Sequence, residues 1–166
     1  MADELVIDEE LRRLLDRTGP PAVGEVTAKE IKRFAYATDD LNPLYLDEEY
    51  ARSVGLPGVV APPLFVVVPT HDDTPLNETQ PDGIGKSPAR EIIQKQFARV
   101  VAGGTEYEFF QHVRPGDVLT AERRTGEVYQ KQGRSGPLLF SESITTWTNQ
   151  RGEKVATQKF TSIFRR

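Results

Sequence analysis

One stretch gathers the side chains that could do chemistry: Phe34-Ala35, then Asp40, Asn42, Pro43, Leu44 and Tyr45, with Ala51 beyond. A carboxylate and an amide two residues apart, followed by a proline that fixes the backbone, can hold a water or a substrate hydroxyl by hydrogen bonds. Asx residues at a helix end also cap and turn the chain, so from the residues alone both readings stand. Elsewhere the reactive inventory is thin. The chain has no Cys, which excludes a disulfide framework, a thiolate nucleophile and a Cys-based zinc site. Its two histidines, His71 and His112, match no motif and are expected to be structural or on the surface. Two histidines make a multi-histidine metal centre a poor expectation, so no metal ligands are assigned and no cofactor is expected. Phosphate-loop and dinucleotide fingerprints are absent.

The elements that must position this stretch are legible in outline. Ile7, Leu11, Leu14 and Leu15 form one apolar stripe of a short helix, closed by Gly19-Pro20-Pro21. A second helix opens at Thr27 with Glu30 three residues on, a capping box in which hydroxyl and carboxylate satisfy orphan N–H groups reciprocally. Ile31, Phe34 and Ala35 supply its buried face, and Thr38-Asp39-Asp40 leads out of it. Asp47 is the expected N-cap of a third short helix that closes at Gly55. Val59 to Val68 reads as a buried strand or a buried helix, since periodicity cannot separate the two. The polar segment 69–88, broken by Pro69, Pro75, Pro81, Pro88, Gly83 and Gly85, reads as a flap or as a variable surface loop. From Ile92 onward strands are expected. Tyr107–Val113 and Val118–Thr125 flank an Arg114-Pro115-Gly116-Asp117 turn. Residues 131–137 lead to Leu138–Thr148, and residues 149–152 turn into Lys154–Phe164, whose alternation is clear. Helices first and an antiparallel meander afterwards give an α+β class, with one domain over 1–166 and a helical extension over 1–19.

Composition bounds the rest. The chain is 166 residues long, 37% apolar and 28% charged, with a mean hydropathy of −0.48. Its longest apolar run is interrupted by Pro62 and Pro63 and is too short to span a bilayer. The acidic N-terminus lacks a signal-peptide order, so a cytoplasmic protein without a membrane role is expected. The net charge of −4 divides unevenly: residues 1–85 carry 7 Lys/Arg against 17 Asp/Glu, and residues 86–166 carry 14 against 8. An acidic total argues against nucleic acid as a partner. The basic half suggests an anionic ligand, a partner surface or solvated faces, and Lys86, Arg90, Lys95 and Arg99 are its candidate phosphate contacts. Trp147 is expected to pack in a core or an interface.

On Phe34, Ala35, Asp40, Asn42, Pro43 and Leu44 the chain resembles the MaoC-like (R)-specific enoyl-CoA hydratase/dehydratase family, in particular its N-terminal-type hotdog domain. The family motif runs Gly-Asp-x-Asn-Pro-(Leu/Ile/Val)-His after a Phe-Ala. Gly103-Gly104-Thr105-Glu106-Tyr107-Glu108-Phe109, Arg114-Pro115-Gly116-Asp117, the Gly133–Gly136 loop and the Thr148–Thr157 hairpin extend the likeness over residues 20–166. The resemblance implies a single hotdog fold, an antiparallel sheet wrapped around a long central helix. It also implies general acid–base chemistry on an enoyl thioester, with the motif Asp and His acting on a water. A backbone N–H from a following His-Gly pair, at the start of the central helix, stabilises the enolate oxygen.

The chain departs from that pattern where the chemistry resides. Tyr45 stands at the His position, and a phenol with a pKa near ~10 cannot exchange protons at neutral pH as imidazole does. Asp39 replaces the Gly before the Asp. Pro62-Pro63 occupy the His-Gly positions, and proline has no N–H to donate. Losing an oxyanion donor alone costs about 3 kcal/mol, roughly a hundredfold in rate. Ala61-Pro62-Pro63-Leu64-Phe65 also resembles the start of the central helix in the family's non-catalytic halves, which makes 64–68 an expected helix. The resemblance therefore points to the accessory half of a two-component enoyl-CoA or acyl-carrier hydratase. A hotdog partner with an intact Asp-x-Asn-Pro-x-His would supply the catalytic pair, and this chain would supply pocket walls from Pro62, Pro63, Gly103 and Gly104, with Arg90 and Lys95 for phosphates. Two other readings remain: an active homodimer using Asp40, Asn42 and Tyr45, and a non-enzymatic acyl-thioester binding protein.

Overall fold

A computed structural model describes residues 9–16, 19–71, 75–79 and 88–166. In chain order come α1 (Glu9–Leu15), β1 (Ala22–Glu25), α2 (Ala28–Ala37), α3 (Pro43–Leu46), α4 (Glu48–Ser53), 3-10 helices at Pro63–Val67 and Leu76–Glu78, α5 (Pro88–Gln96), and strands β2 (Arg99–Phe109), β3 (Val118–Gly133), β4 (Gly136–Thr148) and β5 (Lys154–Arg165). The strands form one antiparallel sheet in the order β1-β3-β4-β5-β2. The α+β expectation is met. The meander holds for β3 to β5, but β2 does not pair with β3. It crosses to the far side of β5, from Arg99 opposite Arg165 to Phe109 opposite Ala156.

Several local expectations are borne out. The Thr27 hydroxyl accepts from the Glu30 N–H at 3.2 Å while the Glu30 carboxylate accepts from the Thr27 N–H at 3.3 Å, closing the capping box. The Asp47 carboxylate accepts from the N–H groups of Glu49 and Tyr50 at 2.9 and 3.0 Å, and α4 is followed by Gly55 at φ 91°. Caps of this kind are each worth about 1 kcal/mol. Of the α1 stripe, Leu11 is buried; Ile7 lies outside the described residues.

Other expectations need correction. The run after Pro62-Pro63 does not begin a long central helix: it makes a five-residue 3-10 helix, and Pro69 follows Val66-Val67-Val68. β-Branched residues lose χ1 freedom in a helix, and Pro69, which has no N–H, cannot extend the hydrogen-bond ladder beyond Val68. Residues 88–96, read as the end of a loop and the start of strands, form α5. β1 was not foreseen, and the strand expected over Tyr107–Val113 instead runs Arg99–Phe109. The connection at 131–137 shrinks to a two-residue turn at Arg134-Ser135 between paired Gly133 and Gly136.

The core lies in two separate clusters at opposite ends of the sheet. One joins Val26, Ile31, Phe65, Val66, Leu119, Trp147 and Ala156, under α2 and the first 3-10 helix. The other joins Leu11, Ile93, Phe97, Leu139 and Phe164, under α1 and α5. Gly24 is required where the first meets the sheet edge, since a Cβ there would lie 1.6 Å from the Pro69 carbonyl oxygen. The Trp147 indole N–H donates to the Thr70 hydroxyl at 2.8 Å and ties β4 to the same segment, which bears out its packing role.

Candidate active site

The Asp40–Tyr45 stretch links α2 to α3. Thr38 ends α2, and Asp39 then takes φ 54°, the left-handed region that glycine occupies without penalty. That conformation lets the Asp40 N–H donate back to the Ala35 carbonyl at 2.9 Å. The glycine of the family motif thus has a backbone reason, and Asp is among the few residues that tolerate this replacement. Asn42 caps α3, its side-chain oxygen accepting from the Leu44 N–H at 3.0 Å, with Pro43 in the first turn. Its carbonyl oxygen is therefore engaged by the fold, as the turn-forming reading expected. Asp40 and Asn42 are exposed, whereas Tyr45 is half-buried and packs on the first core cluster. Burial, and then the Asp40 carboxylate, push the Tyr45 phenol above its ordinary value. The phenol stays protonated at physiological pH, a hydrogen-bond donor and not a base.

This stretch adjoins a second one through the backbone. The Val60 N–H donates to the Leu44 carbonyl at 3.0 Å, and the Ala61 N–H to the Val113 carbonyl at 2.8 Å. Beside Ala61 and Val113 opens a recess of about 270 Å3 that includes Pro62, Pro63, Val66, Phe109, Phe110 and His112 in its lining, whereas none of Asp40, Asn42 and Tyr45 lines it. Phe109 and Phe110 are each about two-fifths exposed at its mouth. Phe109 stacks on Tyr107 at 5.6 Å, and Tyr107 on Trp147 at 6.5 Å, so the aromatic wall continues onto the sheet. The recess has apolar walls, and its two prolines bring no N–H. It can hold an apolar chain or a thioester, but Pro62 and Pro63 cannot polarise a carbonyl.

The remaining sequence candidates divide. Pro62 and Pro63 are at the recess. Gly103 and Gly104 sit at a bulge of β2, where a Cβ on Gly103 would meet Ile163 at 2.8 Å and one on Gly104 would meet nothing within 4 Å. Arg90 and Lys95 are on α5 beside the second cluster. Along β5 that cluster is eight residues from Ala156, about 27 Å at strand rise. The structure therefore does not bring Arg90 and Lys95 to the recess. Arg99 is exposed opposite Arg165, and Lys86 lies outside the described residues. Sequence reasoning missed Phe109, Phe110 and His112 as lining. The available sign was the Phe109-Phe110 pair, two large apolar residues in succession just before the Arg114-Pro115-Gly116-Asp117 turn, where strand alternation would have placed one outside. Among the described residues no group of acidic or histidine side chains could hold a metal ion, and no helix is long and apolar enough to cross a membrane.

Comparison with known proteins supplies the family. The model of the FAS1-like dehydratase domain region matches residues 18–158. A probable enoyl-CoA hydratase alpha subunit of Thermomonospora curvata is 31% identical over 160 residues, covering 92% of this chain and 50% of the relative. The chain thus spans about half the length of that relative. A UPF0336 protein of Thermobifida fusca is also 31% identical, over 82% of this chain and 81% of its own length. Among solved structures, the ChsH1-ChsH2 complex of Mycobacterium tuberculosis contains a chain that superposes with a TM-score of 0.82 at 25% identity, covering 96% of this chain and 90% of that one. The hotdog architecture and the MaoC-like resemblance are borne out. The chain belongs to the family of the FAS1-like dehydratase domain region, among the MaoC-like hotdog proteins.

Proposed function

We propose that this chain is the accessory subunit of a hydro-lyase that hydrates enoyl thioesters or dehydrates 3-hydroxyacyl thioesters. In this reading it forms one hotdog unit that shapes the acyl pocket, while a hotdog partner carries the catalytic Asp and His. The observation that carries it is the composition of the recess and its neighbour. Pro62-Pro63 remove the N–H donors where an enolate oxygen would need them, and a phenol held above its usual pKa stands where an imidazole is needed. Hydration needs a base to take a proton from water as its oxygen attacks the β-carbon, and an acid to protonate the α-carbon of the resulting enolate. Asp40 can serve as the base, but a phenol held above its usual pKa is a poor acid for the α-carbon, and the two prolines give the enolate oxygen no N–H. The names of relatives as hydratase alpha subunits, and the two-component neighbour, support the reading as a subunit of a hydratase.

The partner would be met along β2. This eleven-residue strand lies at the edge of the five-stranded sheet beside β5, and its residues are exposed along most of its length. Its outer row of backbone N–H and C=O groups is a template for another strand. Pairing there would make one continuous sheet and set the recess, at the β2 end, beside the partner's catalytic pair. Pro62, Pro63, Phe109 and the Gly103-Gly104 bulge then act as pocket wall. Because one of two sites carries no catalytic machinery, the space favours a large or long acyl group. The phosphates of a CoA or carrier arm would be met by Arg90 and Lys95 only if the arm runs the length of the sheet; otherwise the partner holds them. We place the protein in the cytoplasm.

The test is to assay the chain for hydration of crotonyl-CoA and of a long enoyl-CoA, alone and after co-purification with a hotdog chain bearing the intact motif. Silence alone and turnover with the partner is the expected result. Robust turnover by the chain alone, abolished by Asp40→Asn, would overturn it in favour of an active homodimer. Acyl-CoA binding that no partner converts into turnover would favour a binding protein.

A further inference from the structure

The inner face of the sheet changes character along its length. By register, Trp147, Thr145, Ser143, Ser141 and Leu139 of β4 face one side together with Ala156, Gln158, Phe160, Ser162 and Phe164 of β5. The two end rungs are closed: Trp147 and Ala156 belong to one core cluster, Leu139 and Phe164 to the other, and none exceeds 5% exposure. The three rungs between them are polar except for Phe160, and apart from Thr145 they are only half-buried, although β4 and β5 are interior strands. A sheet face that packs against the body of its own domain is expected to be apolar. Among the described residues the first 3-10 helix covers one end and α1 and α5 the other, and the middle carries hydroxyls and an amide.

The polar groups are held ready. The Gln158 amide N–H donates to the Tyr107 hydroxyl at 2.6 Å, which leaves the amide oxygen as an acceptor and the phenol proton as a donor. Arg123, exposed on β3 directly opposite Thr145, donates to the Thr145 hydroxyl at 3.5 Å. The aromatic wall of Phe109, Tyr107 and Trp147 joins this band to the recess without a break. Successive rungs are about 6.7 Å apart, so the polar band begins about 7 Å and ends about 20 Å from the Trp147–Ala156 rung.

We propose that this band is the bed of the acyl tail, and that it selects tails carrying a hydroxyl or oxo group well away from the thioester over plain alkyl tails. The inference rests on the acyl-thioester reading above and names the substrate class of that site. An alkyl tail laid here would strip water from Ser143, Gln158 and their neighbours without replacing its hydrogen bonds. An oxygen-bearing tail replaces them.

The test is a calorimetric titration of decanoyl-CoA and ω-hydroxydecanoyl-CoA into the full chain assembled with its hotdog partner. The hydroxylated ester is expected to bind roughly fivefold to tenfold more tightly, the worth of one net hydrogen bond. In Ser143→Ala combined with Gln158→Leu the ratio of the two affinities should fall to about one. A ratio is insensitive to the fraction of protein that folds. Equal affinities in the unaltered protein, or a preference that survives both substitutions, overturn this inference and leave the thioester reading intact. Binding of neither ester overturns the thioester reading and this inference with it.

Discussion

At the scale of single residues, the chain keeps the backbone of a hydration motif, with a phenol at Tyr45 where the motif has an imidazole. Asp39 shows the first half. Its φ of 54° is a glycine conformation, so Asp39→Gly should raise stability by up to about 1 kcal/mol, while Asp39→Val should lower it by about 1–2 kcal/mol; urea unfolding midpoints distinguish the two. Tyr45 shows the second half. Its folded pKa is raised, so its contribution to stability is fully present below the ordinary phenol value near ~10 and is lost as pH rises through the folded value. Denaturation measured across the alkaline range should show that loss, and Tyr45→Phe should remove Tyr45's share of it. A loss unchanged in Tyr45→Phe would mean that the phenol is no more protected in the folded protein than in the unfolded one. The motif residues were readable because capping and turn chemistry is local: Asn42 accepts from a residue two positions on, and Thr27 and Glu30 are three apart. The recess was not readable, because Pro63 and His112 are brought together only by the fold.

At the scale of elements, what the sequence revealed and what it concealed divide by contact range. The helix starts at Thr27 and Asp47, the turn after β4 and the alternation of β5 all follow from neighbours within a few residues. That last turn is built by Asn149, whose side-chain oxygen accepts from the Arg151 and Glu153 N–H groups at 3.0 and 3.1 Å. β1 escaped notice because four residues cannot display a period, and its place is fixed by a distant partner, Ala22 opposite Ala121. The crossing of β2 to β5 escaped because no adjacent residue encodes it. α5 escaped because its apolar positions are few and it follows a loop-like stretch. The junction at Gly24 is the sharpest of these long-range demands. Gly24→Ala sets a methyl group against the Pro69 carbonyl, where backbone and not a flexible side chain must give way. A loss of at least about 2–3 kcal/mol is expected, read from the thermal or urea midpoint. A midpoint within experimental scatter of the parent would show that the 3-10 helix is not held against β1.

At the scale of the whole molecule, the edge strand β2 and the half-buried polar band of the sheet are the features on which the proposed assembly with a partner rests. Saturating partner at about a hundred times its dissociation constant should add about 2.7 kcal/mol, which for a chain of this size raises the Tm by roughly 5–10 °C in differential scanning calorimetry. An unchanged Tm would argue against assembly through the folded state. The division of the core has a consequence for motion. One cluster is closed by α2 and the first 3-10 helix and the other by α1 and α5, and among the described residues the strands β4 and β5 run from one to the other. The two ends should open as separate cooperative units. Native-state hydrogen exchange should then resolve two sets of amides. Those around Ile93 and Phe97 should exchange through a partial opening that lifts α1 and α5 away, while those around Ile31 and Leu119 wait for the whole sheet to unravel. Such a molecule could breathe at one end to admit a long guest while its other end keeps its shape.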